Sequence, residues 1–254
     1  MIKKLINLWQ YYWHRRSGNA FLNYLRSKGV IVGKGTLAKA PLTINIDITR
    51  PELLEIGSNV LIHKNTTILT HDYASRVFVN LYGEFIPSHG KIKIGNNVWF
   101  GQHCTVLKGV TIGDNCIIGY GSTVMKDIPA NSVAVGTPAK VICTIEEYSN
   151  KRKQVYVNEL FEYAYELERR KGRALQPADF PDDYPAFVDC RNVQMYKFPY
   201  KAVFTDQALF NKWLEVHHAP FNGFDEFMVA YKSYKLKYVT PPIQKVKANY
   251  RIAA

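Results

Sequence analysis

The chain has 254 residues, 47% hydrophobic and 21% charged, the balance of a globular protein with material for one large domain or two modest ones. No apolar run approaches eighteen residues and no secretory apolar region opens the sequence, so neither a membrane span nor a leader is expected. Thirty-three Lys and Arg against twenty-one Asp and Glu leave +12, which favours an anionic partner such as a phosphorylated cofactor, an acidic sugar or a membrane surface.

Residues 2–28 read as helical: KKLINLWQYYWHRR, a break at Ser17-Gly18, then NAFLNYLRSKG, with Asn19 as candidate N-cap and Gly29 as the stop. Lys3, Lys4, Arg15 and Arg16 flank Leu5, Trp9 and Trp13, so this segment can cover the end of a larger domain or rest weakly on a membrane surface.

From Val32 the chain counts in sixes: Val32, Ala38, Ile44, Arg50, Ile56, Ile62, Ile68, with Arg50 alone breaking the apolar series. The phase then slips, and a second series runs Ile94, Phe100, Val106, Ile112, Ile118, Val124. Glycine follows four of those six positions, although only 16 of the 254 residues are glycine. Small or aliphatic residues recur four positions later, at Val98, Cys104, Val110, Cys116 and Ser122. Such a period predicts a β-solenoid, in which each unit is a short strand and a turn with one aliphatic side chain inward. Three hexads per coil make a triangular prism. The slip is explained by an extruded loop over residues 72–91, whose Arg76, Tyr82 and Glu84 are candidates for contact with an acceptor.

Beyond the solenoid, Val157, Leu160, Phe161, Ala164 and Leu167 mark one face of a helix over residues 145–171, closed by Arg169-Arg170-Lys171-Gly172. Shorter helical patches fall near 205–217 and 223–233. The expected organisation is therefore helical residues 1–29, a solenoid over 30–144 and a helical extension over 145–254. Cys104, Cys116, Cys143 and Cys190 have no metal-type spacing and are expected to be reduced, the first two as buried hydrophobes in a cytoplasmic protein. No RNP, zinc-finger or helix-turn-helix pattern supports a nucleic-acid partner.

The stretch IGNNVWFGQHCTVLKGVTIGDNCIIGYGSTVMKDIPANSVAVGTPAKVI (94–142) resembles the hexapeptide-repeat acyltransferases, in the branch with galactoside and maltose acetyltransferases. RPELLEIGSNVLIHKNTTILTHDY (50–73) with the loop after it resembles O-acetyltransferases of bacterial surface polysaccharides. The resemblance implies a mainly β fold, a left-handed parallel β-helix, as a homotrimer with acetyl-CoA as acyl donor between subunits and a carbohydrate acceptor. It implies no metal. The reduced cysteines point to the cytoplasm, and the basic, Trp-containing N-terminal segment to the inner face of the membrane as an alternative. The family's catalytic histidine falls at His103, within Trp99-Phe100-Gly101-Gln102-His103. Its donor-binding stretches carry over to Trp99, Gly101, Gly119, Tyr120, Lys126, Thr137, Ala139 and Lys140.

The chemistry agrees with a histidine. Moving an acetyl group from a thioester to a sugar hydroxyl needs a base near neutrality that can return its proton to the departing thiolate. His71 in LTHDY follows Ile68 by three residues, as His103 follows Phe100, so it is a second candidate for base, partner or acceptor-site residue. Asp72 is a candidate to orient an imidazole, or a turn cap. Three other readings stand beside this one: acetyl transfer to an antibiotic, serine or a nucleotide-sugar amine, a zinc carbonic anhydrase built from His63, His71, His89 and His103, and a non-enzymatic scaffold.

Overall fold

The computed structural model describes residues 9–196, 204 and 207–239. The chain divides into two compact units, residues 1–151 and 152–254.

The first unit begins with helical residues 9–14 (α1) and a second helix, α2 (Gly18–Ser27). Ser17, not Asn19, is the N-cap of α2: its backbone is extended, and its Oγ accepts from the Ala20 N–H at 3.2 Å. Gly29, with φ +102°, follows the helix end. Phe21, Leu22 and Leu25 of α2 join the apolar core of the strands that follow. Trp9 and Trp13 stack on each other and stay exposed, whereas Lys3, Lys4 and Leu5 lie outside the described residues.

As far as Thr123–Val124, and apart from the extruded segment, those strands visit three sheets in rotation. The first sheet holds Ile31–Val32, Leu54–Ile56, Ile92–Ile94 and Thr111–Ile112. The second holds Leu37–Ala38, Leu61–Ile62, Val98–Phe100, Cys116–Ile118 and Ser132–Val135, with Lys140–Thr144 added antiparallel. The third holds Asn45–Ile46, Thr67–Ile68, Thr105–Val106 and Thr123–Val124. Between the two central coils the register is uniform: Ile94 pairs with Ile112, Phe100 with Ile118 and Val106 with Val124, each eighteen residues on. All six of these side chains are at most 1% exposed, so the six-residue period is the spacing of one apolar ladder per sheet.

The first coil departs from that count. Ile46, not Ile44, pairs with Ile68, and Arg50 is not a ladder position. Single 3-10 turns at Pro41–Thr43 and Pro51–Leu53 add residues at two corners, which shifts the series read from the sequence. Between the second and third coils Thr67 pairs with Thr105, 38 residues on, twenty more than an ordinary coil. The excess leaves as a short antiparallel pair, His71–Asp72 with Ser88–His89, enclosing helix α3 (Ser75–Tyr82).

The corners share one conformation. Asn59, Asn97, Asn115 and Asn131 all have φ between 55° and 59° and stack at the corner between first and second sheets. Asn97 donates through Nδ2 to Asn115 Oδ1, and Asn115 in the same way to Asn131, both at 2.9 Å. Asparagine is among the few residues that adopt this left-handed conformation readily, and its amide links each coil to the next. Gly101 meets a different demand, because a Cβ there would come within 2.6 Å of the Tyr120 backbone nitrogen of the coil beyond.

Helix α4 (Ile145–Lys171) begins in the first unit and continues into the second. In the second unit its Leu160, Phe161 and Ala164 bury against Phe180, Phe187, Phe227 and Tyr231, the last two from α6 (Phe224–Tyr234). Helix α5 (Gln207–Val216) precedes it, and positions 205–206 of the predicted patch lie outside the described residues. Buried Asp189 is held well below the usual carboxylate range by the Arg191 guanidinium.

Replacing Asn115 by Ala is expected to lower the stability of the chain in urea by about 1–2 kcal/mol, because alanine keeps a Cβ in the left-handed turn without the amide that lets asparagine adopt it. Asn115→Gly should lose less. Equal losses would mean that the amide ladder, not the backbone, carries the effect.

Candidate functional site

His71 is the first residue of the extruded segment, at the exit from the third sheet, and its ring is largely enclosed. Its Nδ1 lies 2.5 Å from Asp47 Oδ2, with the Asp47 side chain only 5% exposed. Asp47 follows strand Asn45–Ile46 of the coil before, so stacking brings together residues 24 apart in sequence.

Five donors converge on that carboxylate. The Thr49 N–H and hydroxyl reach Oδ1 at 2.9 and 2.7 Å. The Thr70 N–H reaches Oδ2 at 3.2 Å, joined there by the Thr70 hydroxyl and the imidazole. Burial pushes the Asp47 carboxyl up, but the hydrogen bonds from Thr70, Thr49 and His71 outweigh it and hold the group well below the usual carboxylate range. An ionised carboxylate only accepts, so Nδ1 carries the hydrogen of this contact and a neutral ring keeps its lone pair on Nε2. Nε2 meets no polar partner among the described residues. Tyr73 sits edge-on to the ring, 4.9 Å between centroids. A base with a fixed tautomer and an open nitrogen is the result.

Asp72 does something else. Its Oδ1 accepts from the Ala74 N–H at 2.9 Å, and its other oxygen pairs with the Lys108 ammonium, which also reaches Ser88. The Lys108 contact holds its carboxyl below the ordinary value. Asp72 therefore closes the base of the extruded segment, and the carboxylate that orients the imidazole is Asp47. Sequence reading missed Asp47 and the threonines around it. The available signal was an acidic residue directly after a core strand position, one coil before the histidine.

His103 is exposed and stands on the other side of the third sheet, at the corner with the second. Its φ is +62°, and the same corner in other coils is taken by Ala40, Asn65 and Gly121, all with positive φ. Its Nε2 lies 3.1 Å from Asn65 Nδ2, and its ring is 5.2 Å from that of Tyr120. No carboxylate touches it among the described residues.

Most candidate donor-binding residues fall near this corner, but Lys126 follows Thr123–Val124 at the exit from the third sheet, on the side of His71. Gly101 and Gly119 pack coil on coil, and Tyr120 is 69% exposed. Thr137 donates to the Gly121 carbonyl at 3.1 Å, and the Ala139 N–H to the Thr123 carbonyl at 2.8 Å. Lys126 and Lys140 are exposed. Trp99 faces outward, 40% exposed, and meets His63 edge-on at 6.1 Å. Arg76, Tyr82 and Glu84 are exposed on or after α3. Among the described residues no three His, Cys, Asp or Glu side chains are grouped to hold a metal ion, and no helix is long and apolar enough to cross a membrane.

The profile of the six-repeat bacterial transferase hexapeptide matches residues 91–126. Galactoside O-acetyltransferase of Escherichia coli K12 is 42% identical over 125 residues, 49% of this chain and 57% of that protein. The Bacillus subtilis protein YvoF, which bears the name of an acetyltransferase, is 37% identical over 134 residues, 53% of this chain and 70% of its own length. A maltose O-acetyltransferase of known structure from Clostridium difficile 630 is 31% identical, covering 50% of this chain and 75% of that one, with a TM-score of 0.38, too low to weigh.

Because the Asp47 carboxyl lies below its unfolded value, its stabilising contribution is complete above the ordinary carboxylate range and is lost as pH falls below about 4. Thermal unfolding followed from about pH 6 to about pH 3 should therefore fall more steeply for the native chain than for Asp47→Asn. Parallel curves would show that the carboxylate is not held as described.

Proposed function

The chain belongs to the bacterial hexapeptide-repeat transferases, and from that we propose that it is an O-acetyltransferase, carrying acetyl from acetyl-CoA to a hydroxyl of a sugar or surface polysaccharide. The reading includes a left-handed sense for the solenoid, the N-terminal helices as its cap, residues 145–254 as a helical extension, and a homotrimer in the cytoplasm or at the inner membrane face with active sites between subunits.

The single observation that carries the chemistry is the pair of His71 and Asp47. His71 Nε2 takes the proton of the acceptor hydroxyl as its oxygen bonds to the thioester carbonyl carbon. The tetrahedral intermediate collapses with cleavage of the C–S bond, and the imidazolium returns the proton to the departing CoA thiolate. Asp47 keeps the tautomer and stabilises the transient imidazolium, as a carboxylate behind a catalytic histidine does. The acetyl group never bonds to the protein. His103, beside Tyr120 and below Thr137 in the coil stack, belongs in this reading to the donor groove rather than to proton transfer.

Thiol release from acetyl-CoA in a screen of sugars, serine and aminoglycosides tests the function, and absence of CoA binding would favour a scaffold. His71→Ala is expected to lower kcat by about 10²–10⁴, the contribution of a positioned general base. Asp47→Asn should lower kcat and alter its pH profile with little change in donor KM. His103→Ala should act mainly on donor KM. Full activity in His71→Ala with loss in His103→Ala would reverse the assignment.

A further inference from the structure

A cavity of about 470 Å³ opens between α1, α2 and the edge strand of the third sheet. That volume suits a small ligand of one or two rings. Its cationic groups are Arg15, Lys28 and, when protonated, His14, and no carboxylate lines it. The sequence explains the imbalance: residues 1–46 hold eight Lys and Arg and no Asp or Glu. The first acid in the chain is Asp47, and its oxygens are already engaged by Thr49, Thr70 and His71.

Arg15 is the decisive residue. Its guanidinium lies over the Tyr11 ring at 4.5 Å and over the Phe21 ring at 4.6 Å. Among the described residues Nη2 reaches the Ile44 carbonyl alone, at a long 3.4 Å. Nε is buried and, among the described residues, has no hydrogen-bond partner. A guanidinium presents a fork of parallel N–H donors that suits a carboxylate or phosphate, and Arg15 lines the pocket. The aromatic wall is Tyr24, with His14 stacked on it at 4.3 Å and Lys28 Nζ 5.4 Å from its ring centroid. The floor is Ile46 and Ile48, which flank Asp47, so the pocket and the dyad draw on three consecutive residues.

We infer that this pocket binds an acidic sugar, its carboxylate or phosphate on Arg15 and Lys28 and its ring against Tyr24. This binding does not rest on the acetyl-transfer reading.

Isothermal titration of the full chain with glucuronic acid, glucose 1-phosphate and glucose tests both chemistries. At least one acid should bind about tenfold or more tighter than glucose, the worth of one charge-assisted hydrogen bond. The tighter acid identifies the anion, carboxylate or phosphate. Arg15→Gln should remove the preference and Lys28→Gln should reduce it; if Arg15→Gln fails to fold, the exposed Lys28 decides. Equal binding of all three sugars, binding of none, or a preference unchanged by the variants overturns the inference. Anion preference without thiol release on any acceptor would leave the pocket standing and fail the acetyl-transfer reading. Thiol release on neutral acceptors without acid binding would do the reverse.

Discussion

Everything in the first unit depends on bringing each coil back into phase, so that an aliphatic side chain stands directly on the aliphatic of the coil before. Parallel strands lie less than 5 Å apart, and a rung that misses its neighbour leaves both an unfilled gap and unpaired backbone. Eighteen residues satisfy the condition between the central coils. Any surplus must leave at a corner. The 3-10 turns at Pro41–Thr43 and Pro51–Leu53, and the twenty additional residues after Thr70, are such surpluses. The pair of Asp47 and His71 stands beside them: Asp47 lies between the two 3-10 turns, and His71 opens the extruded segment.

That origin explains what the sequence disclosed. The series from Ile94 to Val124 is uninterrupted, and its rungs are legible one by one. The first coil misled because a fixed step of six ignores the turns that Pro41 and Pro51 introduce. The histidines were visible as corner residues, yet Asp47 was not, because its proximity to His71 follows an offset of 24 residues, and eighteen would have placed it elsewhere. Asp72 attracted attention through adjacency. Neighbours on an extended strand point to opposite sides, so the residue beside His71 is poorly placed to hold its ring.

The same geometry separates the two histidines. At the His103 corner the backbone asks for a residue that tolerates positive φ, and histidine is enriched there together with asparagine. Asn65 and Gly121 occupy the equivalent place in adjacent coils, so the turn by itself accounts for much of the choice. His71 sits in extended backbone that makes no such demand. What surrounds it is a buried carboxylate with four donors besides the imidazole, an arrangement a turn does not require.

Electrostatics then joins the site to its flank. Asp47 is the first carboxylate of the chain and is spent entirely inside the coil, so it does not neutralise the eight Lys and Arg that precede it in sequence. At physiological ionic strength screening acts over about 8 Å, which leaves distant basic residues little influence on what binds. Arg15 and Lys28 differ because they line the same pocket, where Arg15 lies over the Tyr11 and Phe21 rings. The +12 of the chain is therefore a poor guide to its ligand by itself. The informative charges are Arg15 and Lys28, which share one pocket that no carboxylate lines among the described residues.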